Sequence, residues 1–121
     1  MKSTLLSILV LSFSACSAAH DDSVARSVLR EHMANNSLIV DVREPDEYDD
    51  GHVRGAVNIP YTKVDREIER YATDRTKPIS VYCGRGGRAA KAEDTLKKMG
   101  YRNVSNLGGY SYLAEPSLVT R

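Results

Sequence analysis

The chain has 121 residues, 41% of them hydrophobic and 27% charged, with a formal net charge of +1. That length suits one small domain. Near-neutrality gives no electrostatic footing for nucleic acid or an anionic membrane surface as a partner.

Residues 1–19 read as a secretory leader rather than as part of the fold, which leaves the domain at 20–121. Lys2 supplies a positive start, Leu5 to Phe13 an apolar stretch, and Ser14, Ala15, Ser17, Ala18 and Ala19 the small residues of a cleavage region. Two processing routes are open. Cleavage after Ala19 releases a protein beginning at His20, whereas Phe13-Ser14-Ala15-Cys16 resembles a bacterial lipobox, whose cysteine is lipidated. Either route predicts export, to the periplasm in a bacterium, with membrane attachment only if Cys16 is lipidated.

Beyond the leader, Asp22 or Ser23 can cap a helix with Val24, Ala25, Val28, Leu29 and Met33 on one side, ended by Asn35-Asn36. Leu38 to Val42 is a nearly continuous apolar run, the pattern of a strand covered on both faces. Glu44-Pro45-Asp46 turns the chain into a short acidic helix around Glu47 to Asp49, and Gly51 and Gly55 lead to a brief strand near Val57 to Ile59. Thr62-x-x-Asp65 has capping-box spacing, with Val64, Ile68 and Tyr71 behind it.

Pro78 opens a strand over Ile79-Ser80-Val81-Tyr82 that ends at Cys83. The helix after it carries Ala89, Ala92, Leu96 and Met99 and stops at Gly100. Val104 to Leu107 predicts a last strand, and Gly108-Gly109 a turn into a final short helix. Alternating strands and helices predict an α/β domain with a mainly parallel sheet, in which reactive loops gather at the carboxyl ends of the strands.

Between strand and helix lies Cys83-Gly84-Arg85-Gly86-Gly87-Arg88. Such a turn aims backbone N–H groups and the positive end of a helix dipole into the loop. That field, with Arg85 and Arg88, favours thiolate at Cys83 and makes it a nucleophile. The glycines at 84, 86 and 87 let the backbone fold into a cup around a ligand. The chain has two cysteines, and one lies in the leader. Cys83 is then left without an intramolecular partner, so its expected role is chemical rather than structural.

The pieces together resemble a rhodanese domain. Leu38-Ile39-Val40-Asp41-Val42-Arg43-Glu44 is similar to the family's first-strand signature, and Tyr48-x-x-x-His52-Val53-Arg54-Gly55-Ala56-x-x-Ile59 to its second, with Arg54 where proline is common. Val81-Tyr82-Cys83-x-x-Gly86-x-Arg88 resembles the active-site loop, and Gly100-Tyr101-x-x-Val104-x-x-Leu107-Gly108-Gly109 the segment after it. Leu113 stands where many relatives have tryptophan, a change expected to affect packing more than chemistry. With the leader, the chain looks most like the single-domain periplasmic rhodaneses of bacteria. The resemblance implies a five-stranded parallel sheet flanked by helices on both faces, with no cofactor and no metal site.

It also implies a thiosulfate sulfurtransferase. Cys83 would take sulfane sulfur from an anionic donor and pass it, as a persulfide, to cyanide or a thiol. Gly84, Arg85, Gly86, Gly87 and Arg88 would bind the donor. Phosphatases related to this fold resemble Cys-x-x-x-x-x-Arg, one residue longer than the spacing from Cys83 to Arg88, and the shorter cup suits sulfur better than phosphate. Mercaptopyruvate-specific relatives resemble Cys-Gly-Ser/Thr-Gly, which Gly84 echoes and Arg85 breaks, so thiosulfate is the preferred donor. The alternative is a sulfur carrier or binding module loaded by polysulfide or a protein partner. Asp41 and Arg43 are expected to support the loop, with Asp41 pairing Arg88 by family analogy. The alternative there is a turn-capping aspartate beside a solvated arginine. His52 reads as a structural hydrogen-bonder, Tyr110 and Tyr112 as core cover or as the rim of the mouth. Monomer is the default assembly.

Overall fold

The computed structural model describes residues 22–121, so the segment expected to be a leader, with Cys16, lies outside the described residues. Helices α1 (Asp22–Ala34), α2 (Pro45–Asp50), α3 (Val64–Glu67), α4 (Gly87–Lys98) and α5 (Tyr110–Leu113) alternate with strands β1 (Leu38–Asp41), β2 (His52–Val53), β3 (Val57–Asn58), β4 (Ile79–Cys83), β5 (Val104–Gly109) and β6 (Val119–Thr120). The main sheet has the order β3-β1-β4-β5, and all its pairs are parallel.

Among the described residues four strands form this sheet, where the family resemblance implies five. The two-residue β2 pairs instead with β6, antiparallel, as a separate ribbon. Val53 faces Val119 in that ribbon, and the Val53 N–H donates to the Tyr82 hydroxyl of β4 at 3.0 Å. The ribbon is thus tied to the sheet by a side chain rather than by a ladder.

The continuous apolar character of β1 and β4 follows from their central position. Val40, Val42, Ile79 and Val81 pack under α3 and α4 with Val64, Ile68, Ala89, Ala92 and Leu96. On the opposite face Ile39, Tyr82 and Leu107 pack with Leu29 of α1 and Leu113 of α5. Helix α1 is followed by Asn36, whose φ of 56° is left-handed, and α4 by Gly100 at φ 94°.

The local start signals sort unevenly. Thr62 and Asp65 make no capping box: residues Tyr61–Lys63 form a 3-10 turn, and α3 starts after Lys63 without a side-chain cap. The reciprocal cap forms instead at α2, between Glu44 and Glu47, with Pro45 in the first turn.

Leu113 is fully buried, so it fills the position where many relatives carry a larger ring. Truncation of this side chain, Leu113→Ala, is expected to cost about 2–5 kcal/mol in denaturant unfolding with an unchanged slope. A loss under about 1 kcal/mol, within the range of surface substitutions or little beyond it, would contradict its place in the core.

Candidate active site

The end of β4 places Cys83 at the carboxyl edge of the sheet, beside the end of β5. Four residues further on, α4 begins at Gly87. So short a link demands a sharp reversal, and Gly86 supplies it at φ 107°, where side chains with a Cβ are strained. The Gly86 N–H then points back and donates to Cys83 Sγ at 2.8 Å. Its carbonyl accepts from Ala90 N–H at 2.9 Å, locking the turn to the first turn of α4.

The back of the loop rests on β5. A Cβ on Gly109 would lie 2.5 Å from the Gly84 carbonyl oxygen and 3.1 Å from Arg85 Cα. Any other residue at 109 would push the loop outward. Of the three loop glycines, only Gly86 has a positive φ; Gly87 meets nothing that a Cβ would strike. The sequence reading credited Gly84, Gly86 and Gly87 alike, and missed Gly109 as the glycine the loop leans on.

Cys83 is 1% exposed and belongs to the floor of an open pocket of about 430 Å³, lined also by Glu47, Gly84, Arg85, Gly87 and Arg88. All the loop residues expected at the site therefore come together, with one addition. Glu47 of α2 receives a two-pronged ion pair from Arg88, Nη1 to Oε1 at 2.6 Å and Nη2 to Oε2 at 3.0 Å. The Arg88 hydrogen bond holds the Glu47 carboxylate below the usual glutamate range. Reciprocally, the hydrogen bond that Arg88 donates to Glu47 raises the guanidinium above its ordinary value. Arg85 is exposed at the pocket and has no ion pair among the described residues.

Asp41 and Arg43 sit beneath this layer rather than in it. The expected Asp41–Arg88 pair does not form, because Asp41 is fully buried and its carboxylate is taken by Arg43, with Nη2 to Oδ2 at 2.7 Å. Arg43 is not solvated either: it is 5% exposed, donates to the Gly51 carbonyl at 2.6 Å and lies under the Tyr110 ring at 4.4 Å. The Tyr82 hydroxyl donates to the same Asp41 carboxylate at 2.7 Å. Burial, reinforced by the charge of Asp41, pushes the Tyr82 phenol far above its ordinary value, so it remains a donor. This network holds Gly51, the residue that ends α2, and so sets where Glu47 stands.

His52 is a structural group here. Its Nδ1 lies 2.8 Å from the Tyr48 carbonyl and its ring stacks on Tyr48 at 3.7 Å. Tyr48 in turn donates to the Ala56 carbonyl at 2.7 Å, which stiffens the corner after α2. Tyr110 covers Arg43 and Tyr82, while Tyr112 is partly exposed beyond it.

The comparisons with known proteins fit this geometry. Residues 25–115 match the family described as Rhodanese-like domain. The chain belongs to that family. It is 38% identical over 79 residues to thiosulfate sulfurtransferase PspE of Escherichia coli, covering 65% of this chain and 76% of that one. It is 32% identical over 110 residues to thiosulfate sulfurtransferase 16, chloroplastic, of Arabidopsis thaliana, covering 82% and 92%. Among solved structures, "rhodanese with anions from E. coli" superposes with a TM-score of 0.65 at 35% identity, covering 70% of this chain and 98% of that chain. Similarity also extends to a putative sulfur carrier protein of Bacillus subtilis, so membership in the family leaves the donor open.

Two outcomes test the geometry of the site. Gly109→Ala should displace the loop and cut activity sharply while the protein stays folded, and unaltered activity would contradict the close approach. Because the Glu47 carboxylate is held low in the folded protein, the stability it contributes is present at neutral pH and lost on acidification. Glu47→Gln should therefore lower Tm slightly at pH 7, by the equivalent of under about 1 kcal/mol for so exposed a pair. That difference should shrink once the pH falls below the ordinary glutamate value and vanish only below the depressed value held in the folded protein. A difference that grew on acidification would contradict the pairing.

Proposed function

We propose that this protein is a thiosulfate sulfurtransferase in which Cys83 carries the transferred sulfur. The observation that supports this most directly is the Gly86 N–H donating to Cys83 Sγ, at the floor of a pocket lined by two arginines. A backbone donor so placed stabilises negative charge on the sulfur before attack.

The first half-reaction needs no general acid or base. The Cys83 thiolate attacks the outer sulfur of thiosulfate, a sulfur–sulfur bond forms to Sγ, and the bond to the sulfonate sulfur breaks. Sulfite leaves with that electron pair. In the second half-reaction cyanide or a thiolate attacks the terminal persulfide sulfur, and the Cys83 thiolate is the leaving group. Gly84 and Gly87 line the space where the persulfide sulfur sits, the Gly86 N–H holds Cys83 Sγ, and Arg85 binds the donor's sulfonate oxygens. Asp41 and Arg43 act at a distance, as positioning residues beneath α2. Both substrates are small molecules, a monomer suffices, and the apolar leader supports an exported protein.

A thiosulfate:cyanide transfer assay tests the reading. Cys83→Ser should reduce sulfur transfer to background, and substantial remaining transfer would overturn the assignment. Arg85→Ala should raise KM for thiosulfate by roughly three- to tenfold, the scale of one exposed charge contact, with a smaller change in kcat. Failure of the wild type to turn over thiosulfate, with loading only by polysulfide or a protein donor, would favour a carrier.

A further inference from the structure

Loop composition alone counts two cations for the donor, but the fold supplies an anion as well. Glu47 comes from α2, 41 residues away from Arg88, and its carboxylate occupies both terminal nitrogens of that guanidinium. The same planar fork is the group that would grip the oxygens of a sulfonate. Glu47 also lines the pocket directly. A donor entering the pocket thus meets Arg85 with its charge unopposed, Arg88 already paired, and a carboxylate at the wall. With Cys83 ionised for attack, these fixed charges cancel.

We infer that Glu47 is a specificity-determining residue: it stands in the donor site as a built-in competing anion and handicaps dianionic donors relative to monoanionic ones. Resting on the sulfurtransferase reading, the inference names what that reading leaves open, the charge class of the donor. Thiosulfate remains a substrate, but the pocket accepts a small sulfane donor of single charge, such as a thiosulfonate or a low-molecular-weight persulfide, with less electrostatic penalty. Neither sequence nor family membership carries this, because it depends on where α2 is held. The Glu44–Glu47 cap fixes the start of that helix and Arg43, through the Gly51 carbonyl, fixes its end.

The cap also makes a clean probe available. Glutamine can occupy the third helical position of a capping box as glutamate does, so Glu47→Gln removes the charge and keeps the helix start. The test compares thiosulfate, a dianion, with methanethiosulfonate, a monoanion that delivers the same outer sulfur. In Glu47→Gln the ratio of kcat/KM for thiosulfate to that for methanethiosulfonate should rise about fivefold, the scale of one screened charge at contact distance. The gain should appear in KM for thiosulfate, with kcat nearly unchanged. Glu47→Asp, which keeps a charge at the wall, should stay near the wild-type ratio.

A second readout needs no turnover. Sulfate and methanesulfonate, unreactive analogues of the two donors, should protect Cys83 from alkylation by iodoacetamide. The sulfate concentration for half protection should fall about fivefold in Glu47→Gln, again one charge at contact, while that for methanesulfonate stays put. An unchanged donor ratio together with unchanged protection, or equal losses with both donors, would overturn the inference and make Glu47 purely structural. If the wild type transfers sulfur from neither donor, the sulfurtransferase reading fails first and the inference falls with it.

Discussion

The hydrogen bond from the Gly86 amide to Cys83 Sγ closes the shortest route from β4 into α4. Three residues must reverse the chain, turn one amide inward and leave the next residues helical, and a left-handed glycine satisfies all three demands. The loop cannot relax backward, because β5 lies against it at Gly109. It cannot relax sideways without breaking the first bond of α4, from Ala90 N–H to the Gly86 carbonyl. The sulfur is therefore held against a preset backbone donor before any substrate arrives, which keeps reorganisation during reaction small.

Beneath the loop, a buried ion pair does the work of alignment. Asp41 accepts from the Arg43 side chain, the Arg43 backbone N–H and the Tyr82 hydroxyl. Arg43 spends its remaining reach on the Gly51 carbonyl. A buried pair so fully hydrogen-bonded gains little over an apolar packing, yet removing one partner strands the other charge at a cost of about 3–5 kcal/mol. Its yield is geometric. It joins β1, β4, the β2–β6 ribbon and the end of α2, and so carries Glu47 to the pocket wall.

Local pattern exposed some of this and concealed the rest. The β4–loop–α4 unit was legible because one run of residues holds the strand, the turn glycines and the helix, with Cys83 at the junction. β1 was legible because a strand covered on both faces needs no alternation. The residue pattern named the four strands that form the sheet, and the fifth came only from the family resemblance; β2 and β6 left no pattern because each is two residues long and their pairing spans almost seventy residues. Glu47 was legible only as part of a short acidic helix, and neither its cap with Glu44 nor its pairing with Arg88 was read from the sequence. Asp41 and Arg43 looked like an exposed edge because two charged residues end an apolar run, whereas each satisfies the other two positions away and both stay buried. Gly109 could have been singled out from the double glycine that ends β5, had the contact with Gly84 been foreseeable.

If Cys83 holds the sulfur in transit, intact-mass spectrometry of the protein reads it directly. Treatment with thiosulfate should add the mass of one sulfur atom, located at Cys83 by peptide mapping, and subsequent cyanide should remove it. No added sulfur after thiosulfate, or an adduct that cyanide leaves in place, would contradict the account.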